Sequence, residues 1–340
     1  MKAIILELPG KIKYGDIALR ELKTGEVKVA VKAVGICSSD ISRIFKNEAY
    51  FYPIILGHEI AGQVEQIMGN SKYLNIGDKC TIAPLIPCRK CENCFRGEFS
   101  LCDNYDYIGS RSQGGLADYL IAPLENVIKI PSELEYIDAC LIEPISVVIH
   151  GLLKIKIPGK RILIIGAGSL GLIAAQIVKA FGCFEVIICD LFENHLKIAK
   201  KIGIKTLIAD EKIADKAKDI DIAIETSGSI NGFISGLEVI KKGGCLLNLG
   251  TQKSSIELKR EVINRITKNE LKIIGSWNSY SVPFPGIEWD LAIEFLKNGT
   301  INAKILFSHL FKFSEAETAF DVMYNFKKGE LIKAVFINNL

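Results

Sequence analysis

Residues 161–178, RILIIGAGSLGLIAAQIV, leave a chain few folds to choose from. A short apolar run leads straight into Gly166, Gly168 and Gly171, spaced G-x-G-x-x-G, and then into an apolar helix-forming segment. Such glycines permit a tight turn and the close approach of a pyrophosphate, whose charge meets the free N–H groups and positive dipole end of the helix. The next strand-like run, EVIIC, ends at Asp190, whose carboxylate suits a ribose 2′-hydroxyl. That charge repels a 2′-phosphate, and no Arg or Lys follows directly in DLFEN, so the expected cofactor is NAD rather than NADP. A plain glycine-rich turn is the competing reading, and the strand before it and helix after it weigh against that. The segment is uncharged, but its embedded glycines and the flanking Lys160 and Lys179 suit a buried strand and helix better than a membrane span.

The same rhythm continues from about residue 145 to 276: EVIIC, the helix-like ENHLKIAKKI, TLIA, IDIAIE, the helix-like FISGLEVIKK, CLLNLG and LKIIGS. Short apolar strands alternating with amphipathic helices predict an α/β, doubly wound parallel sheet. Residues 1–144 read differently, as short β-type runs punctuated by glycine and proline (KAIIL, EVKVAVKAVGI, AGQVEQI, KCTIAPL, ADYLIAP, NVIKIP), which predict a barrel-like β domain with long loops. Residues 277–340 carry a helix at EWDLAIEFLKNG and a capping box from Ser314 to Glu317. They end on a strand, IKAVFI, expected to return to the first domain. A chain of 340 residues is long enough for two such cores. The net charge of +3 is too small to imply a nucleic-acid or membrane partner. The N-terminus, MKAIILELPGK, lacks the apolar core of a signal peptide. A cytoplasmic setting is expected, in which ten cysteines serve metal ligation rather than disulfides.

Cys88, Cys91, Cys94 and Cys102 are spaced C-x2-C-x2-C-x7-C. Four thiolates this close can close a tetrahedral shell around zinc, which leaves no position for a substrate. An iron–sulfur cluster is the rival, but no terminal Cys-Pro accompanies the run. This lobe is expected to be structural, so any catalytic ion belongs elsewhere. Residues 35–59, GICSSDISRIFKNEAYFYPIILGHE, offer Cys37 and His58 at the ends of two strand-like segments. Singly, each reads as a buried core residue. Glu143, an isolated carboxylate in the apolar run CLIEPISVVIHG, would be costly to bury unpaired. Thiolate, imidazole and carboxylate together make a catalytic zinc site with one position open. Cys80, Cys140, Cys183, Cys189 and Cys245 read as core thiols, and His195, on a polar helical face, as structural.

With GICSSD, GHE, the four-cysteine lobe and GAGSLG in this order, the chain resembles the zinc-dependent medium-chain dehydrogenases over nearly its whole length. It is most similar to the polyol dehydrogenase branch, where Glu at the Glu143 position replaces a second catalytic cysteine. RIFKNEAYFYP, PLIPC, YDYIGSRSQGG and IGSWNSYSVPFPGIEW resemble the galactitol-phosphate subfamily of that branch. The resemblance implies a GroES-like β-barrel catalytic domain (1–144, returning at 277–340) plus a Rossmann doubly wound parallel-sheet nucleotide-binding domain (145–276). It implies one catalytic zinc on Cys37, His58 and Glu143, and one structural zinc in the lobe. Glu59 would stand beside the first ion or replace a ligand, and Asp40 would orient His58. Ser39 matches the hydroxyl that links the substrate oxygen to the proton exit. Val148 departs from the glycine common in relatives. The implied reaction is NAD-dependent oxidation of galactitol 1-phosphate at C5 to a ketose phosphate such as tagatose 6-phosphate, by a homodimer or homotetramer. Sorbitol, another polyol or threonine is the alternative substrate, and a zinc- or nucleotide-binding redox sensor the alternative outside catalysis. Candidate substrate contacts are Arg43, Lys46 and Arg111 for a phosphate, with Trp277 and Asn278 for the polyol.

Overall fold

A computed structural model describes residues 1–210, 213–252, 254–325 and 329–338. The chain divides into two compact units, Met1–Ser146 with Ser279–Lys327 and Lys333–Leu340, and Val147–Asn278 with Lys328–Ile332.

In the first unit Glu26–Gly35 is the central strand of a seven-stranded sheet. Val27, Val29 and Val31 alternate with half-buried residues and are wholly buried, the period of two that a strand with one face on a core requires. Each such valine contributes about 1.5–3 kcal/mol of burial as an upper estimate. Glu59–Met68, Tyr119–Pro123 and Lys333–Ile337 all pair with this strand antiparallel. The chain's last strand therefore returns to its first sheet, with Val335 opposite Gly35. Lys2–Leu8 pairs separately with Lys11–Asp16 and with Ile54–Ile55.

The second unit is a six-stranded parallel sheet in the order Lys205–Ile208, Glu185–Asp190, Arg161–Ile165, Ile220–Glu225, Ile240–Asn248 and Lys272–Gly275. This is the doubly wound arrangement that the sequence rhythm predicts. Its inner strands read as continuous apolar runs because helices cover both faces. The helix expected over FISGLEVIKK stops at Val239, and Lys241 and Lys242 already lie in the following strand segment, ahead of Gly243 at φ 72°. The capping box also differs: Lys312 N–H donates to Glu315 Oε2 at 2.6 Å, and the helix Ala316–Asn325 starts beyond it, so Ser314 and Glu317 do not pair as expected. No helix among the described residues is long and apolar enough to cross a membrane.

Candidate zinc and nucleotide sites

Cys37 lies two residues beyond the central strand and serves as N-cap of the helix Ser38–Phe45, an element the sequence reading did not include. Extended backbone at Cys37 (φ −86°, ψ 154°) lets its N–H donate to Asp40 Oδ2 at 3.0 Å, closing the first turn. Asp40 and Ile44, four residues apart, form the buried face, and the helix gives way at Asn47 with φ 57°. Asp40 is wholly buried, and its Oδ1 lies 3.4 Å from His58 Nδ1, close enough for charge attraction but without hydrogen-bond alignment. Burial pushes the Cys37 thiol up, yet the His58 imidazole beside it outweighs this and holds it below its ordinary value. Burial likewise works against a charged His58, and Asp40 followed by Cys37 raises it well above the usual range.

Donor atoms of Cys37, His58 and Glu59 lie within 4.8 Å of one another. Glu59, which the sequence reading gives as a neighbour of the ion or a replacement ligand, is the carboxylate of this compact trio. The backbone supplies the reason: Glu59 sits opposite Gly35 in the sheet register, and a Cβ at position 35 would collide with Glu59 Oε2. Both Glu59 oxygens also accept from Lys333 Nζ, at 2.7 Å each, with the pair almost fully buried. Glu143 lies in the first turn of the helix Ile142–Leu152, and its Oε1 accepts from Tyr107 Oη at 3.1 Å. Burial, with His58 opposing it, pushes the Glu143 carboxyl up to about 7. The Tyr107 ring also meets His58 edge-on at 5.8 Å. Ser39 Oγ accepts from Arg43 Nη1 at 2.8 Å, and the same nitrogen lies 3.5 Å from Asp40. Arg43 is thus a half-buried internal donor rather than a free cation, while Lys46 is exposed at the helix end.

A half-buried thiol with a buried imidazole and a buried carboxylate, converging within 4.8 Å, forms the mixed donor set that zinc accepts. In the lobe, Cys88, Cys91, Cys94 and Cys102 likewise converge within 4.8 Å, and none of the ten cysteines is disulfide-bonded. The Lys90 backbone N–H draws the Cys88 thiol down to about 6, and Cys88 N–H donates to Cys102 Sγ at 3.2 Å, whereas burial pushes the Cys94 thiol up to about 12 and the Cys102 thiol up as well.

In the second unit the glycine turn joins Arg161–Ile165 to the helix Ser169–Ala180, whose N-cap is Gly168. Gly166 adopts φ 101°, and a side chain at Gly171 would run into the Gly166 carbonyl, whereas a Cβ at Gly168 would meet nothing. That open space suits a pyrophosphate against the helix end. Asp190 accepts from Ala167 N–H at 2.6 Å and Phe192 N–H at 2.8 Å. His195 Nδ1 lies 3.2 Å from it. The polar-face reading of His195 is corrected, since it is buried against Asp190 and braces this carboxylate. Trp277 is half exposed, and Asn278 closes the second unit's main segment with φ 54°. Val148 is fully buried. The sequence reading missed Lys333, Tyr107 and the Arg43–Ser39 bond. Only the charge of Lys333 inside the apolar run IKAVFI could have flagged one of them.

Two family models match, an alcohol dehydrogenase GroES-like domain over residues 23–132 and a zinc-binding dehydrogenase domain over residues 169–298. Galactitol 1-phosphate 5-dehydrogenase of Escherichia coli (strain K12) is 33% identical over 343 residues, covering 98% of this chain and 99% of that protein. Sorbitol dehydrogenase of Bacillus subtilis (strain 168) is 31% identical over 354 residues, covering 100% and 98%. A crystal structure of galactitol-1-phosphate dehydrogenase from Escherichia coli superposes with a TM-score of 0.93 at 32% identity, covering 99% of this chain and 100% of that one.

Proposed function

Because the chain belongs to the zinc-dependent medium-chain alcohol dehydrogenases, in the polyol dehydrogenase branch, we propose that it oxidises a secondary hydroxyl of a polyol phosphate with NAD. The substrate we propose is galactitol 1-phosphate, oxidised to tagatose 6-phosphate. The observation that carries the chemistry is the convergence of Cys37, His58 and Glu59 beside Glu143, with the Ser39 hydroxyl on the short helix that Cys37 caps. Cys37, His58 and Glu143 would hold the zinc, with Glu59 as second carboxylate, and the bound ion supplies Lewis acidity that lowers the pKa of an alcohol.

The protein's own groups do the rest. Asp40 holds the His58 ring by charge, and Tyr107 fixes one oxygen of Glu143. Arg43 occupies a lone pair of Ser39 Oγ, which leaves the Ser39 proton to point away from the guanidinium and Oγ to pass protons between the substrate hydroxyl and solvent. In the second unit Gly166, Gly168 and Gly171 form the pyrophosphate turn and Asp190 the ribose contact, its carboxylate held ready by two backbone N–H groups and His195. Its negative charge supports NAD over NADP. The four-cysteine lobe holds a second, structural zinc. We place the enzyme in the cytoplasm, in keeping with ten unpaired cysteines, as a homodimer or homotetramer.

The galactitol phosphate assignment is supported by the name of the relative that matches end to end at 33%. Sorbitol is the second reading, favoured by the 31% match to a sorbitol dehydrogenase. Steady-state kinetics on a panel of free and phosphorylated polyols, each with NAD and NADP, separates them. The proposal expects the highest kcat/KM for galactitol 1-phosphate with NAD. Faster turnover of free sorbitol, or a preference for NADP, replaces the corresponding part. Cys37→Ser and Glu143→Ala should each lower kcat at least ~100-fold while the lobe keeps its metal. Full activity in protein stripped of zinc at the Cys37 site would sink the mechanism.

A further inference from the structure

Arg111 is an exposed cation held as if for a ligand. Its guanidinium carbon lies 4.3 Å from the ring centre of Tyr105 and 4.9 Å from that of Tyr50, so two aromatic faces fix its position. Among the described residues its protein acceptors are weak, the Tyr105 carbonyl at 3.4 Å and the Tyr50 hydroxyl at 3.5 Å, and no carboxylate pairs with it. Most of its donors therefore face solvent from a fixed frame. An arginine placed only for stability would be expected to sit against a carboxylate, as Arg89 does with Glu125 and Arg96 with Glu92.

The frame is tied to the metal-ligand cluster through one residue. Tyr107 touches Glu143 with its hydroxyl and His58 with its ring, and its carbonyl accepts the Arg111 backbone N–H at 2.9 Å. The Tyr105 and Tyr107 rings meet edge-on at 6.2 Å. Tyr50 is 61% exposed, yet its loop is bound to the Arg111 loop by Gln113, which accepts from Ile55 N–H at 2.6 Å and donates to the Pro53 carbonyl at 3.4 Å. The separation between the cluster and the guanidinium is thus set by hydrogen-bonded backbone rather than by a free side chain.

We propose that the Tyr50–Arg111–Tyr105 stack is the phosphate-reading element for the substrate, and that its fixed distance from the Cys37–His58 cluster selects which hydroxyl of an open-chain polyol phosphate is presented for oxidation. The inference rests on the reading that the substrate is phosphorylated. A hexitol phosphate carries a dianion at one end and the reacting hydroxyl near the other, so it calls for a cation held apart from the metal-ligand cluster, and Arg111 is one. Arginine suits the distal end, because its planar fork meets two phosphate oxygens at once. Of the other cations considered, Arg43 is committed to Ser39, and Lys46 stands exposed at a helix end with no aromatic frame.

The test compares kcat/KM for galactitol 1-phosphate with that for galactitol in the wild type, Arg111→Ala, Arg111→Lys and Tyr105→Leu, with NAD affinity measured by fluorescence and inorganic phosphate as competitor. The ratio of the two kcat/KM values should fall roughly 10- to 100-fold in Arg111→Ala, mostly through KM. Arg111→Lys should fall between that and the wild type, Tyr105→Leu should lose roughly threefold to tenfold, and phosphate should compete against the wild type only. A wild-type ratio near one overturns the reading that the substrate is phosphorylated. A high wild-type ratio that survives in Arg111→Ala overturns the stack alone, as does weakened NAD binding in Arg111→Ala with the ratio intact.

Discussion

Lys333 is the residue that best shows what a buried charge requires of its surroundings. Its ammonium sits between both oxygens of Glu59 and 3.3 Å from the Ile36 carbonyl, in a position almost closed to water. Burial alone would push the amine down, yet Glu59, followed by Cys37, holds it above its ordinary value. Removing one partner leaves the other as an uncompensated buried charge. Lys333→Met is therefore expected to cost about 3–5 kcal/mol in urea unfolding, and the double change Lys333→Met with Glu59→Gln to recover most of it. A single variant as stable as the wild type would show that Glu59 is neutralised some other way. Gly35→Ala attacks the pair from the opposite strand, and an expected loss of about 1–3 kcal/mol follows from the overpacking against Glu59. Glu59 was legible beside His58 in the sequence. Its partner was not, because the 274 positions between them carry no local signal of their meeting.

At the scale of elements, short segments were read most surely where near neighbours decide the structure. The cysteine lobe closes within fifteen residues, and Arg89 at φ 59° makes the turn that lets Cys88 and Cys91 face the same point. Cys94→Ser should leave one zinc per chain fewer by elemental analysis and open the segment 88–102 to protease, with the Cys37 site still loaded; unchanged zinc content would mean the lobe holds none. In the parallel sheet, Asp221 accepts from Arg161 N–H at 2.9 Å and pairs with Lys241 at 2.8 Å. Burial pushes its carboxyl up, but Lys241 and that backbone bond outweigh it and leave it below the ordinary value. A depressed carboxylate contributes stability that is present above its unfolded pKa of about 4 and is lost as the pH falls through its folded pKa. Asp221→Asn should accordingly cost about 1 kcal/mol at pH 7 and progressively less below about pH 4. A cost independent of pH would point to packing instead. The helix Ser38–Phe45 escaped the sequence reading because its eight residues are too few for a clear period, and its start depends on a cap made by Asp40.

Across the whole molecule, the parallel sheet ends on Lys272–Gly275, a short strand with no further partner strand among the described residues and with Ile273 44% exposed. Such an edge is a ready surface for pairing with a second copy. Ile273→Pro, which interrupts this strand, should lower the mass measured by light scattering after gel filtration if copies pair through it; an unchanged mass would exclude this edge as a contact between copies. The amino-acid sequence by itself determined the strand–glycine–helix turn, the alternation of the parallel unit, the cysteine lobe and the pairing of Cys37 with His58 as neighbouring donor residues. Most of these depend on residue type and on neighbours a few positions away. Tertiary structure alone decided that Lys333 neutralises Glu59, that Arg43 is spent on Ser39, and that Arg111 is held between two rings. The physical reason is that a buried charge or an oriented donor takes its partner from whatever strand the register brings alongside. Register is a property of the assembled sheet, not of any local run of residues.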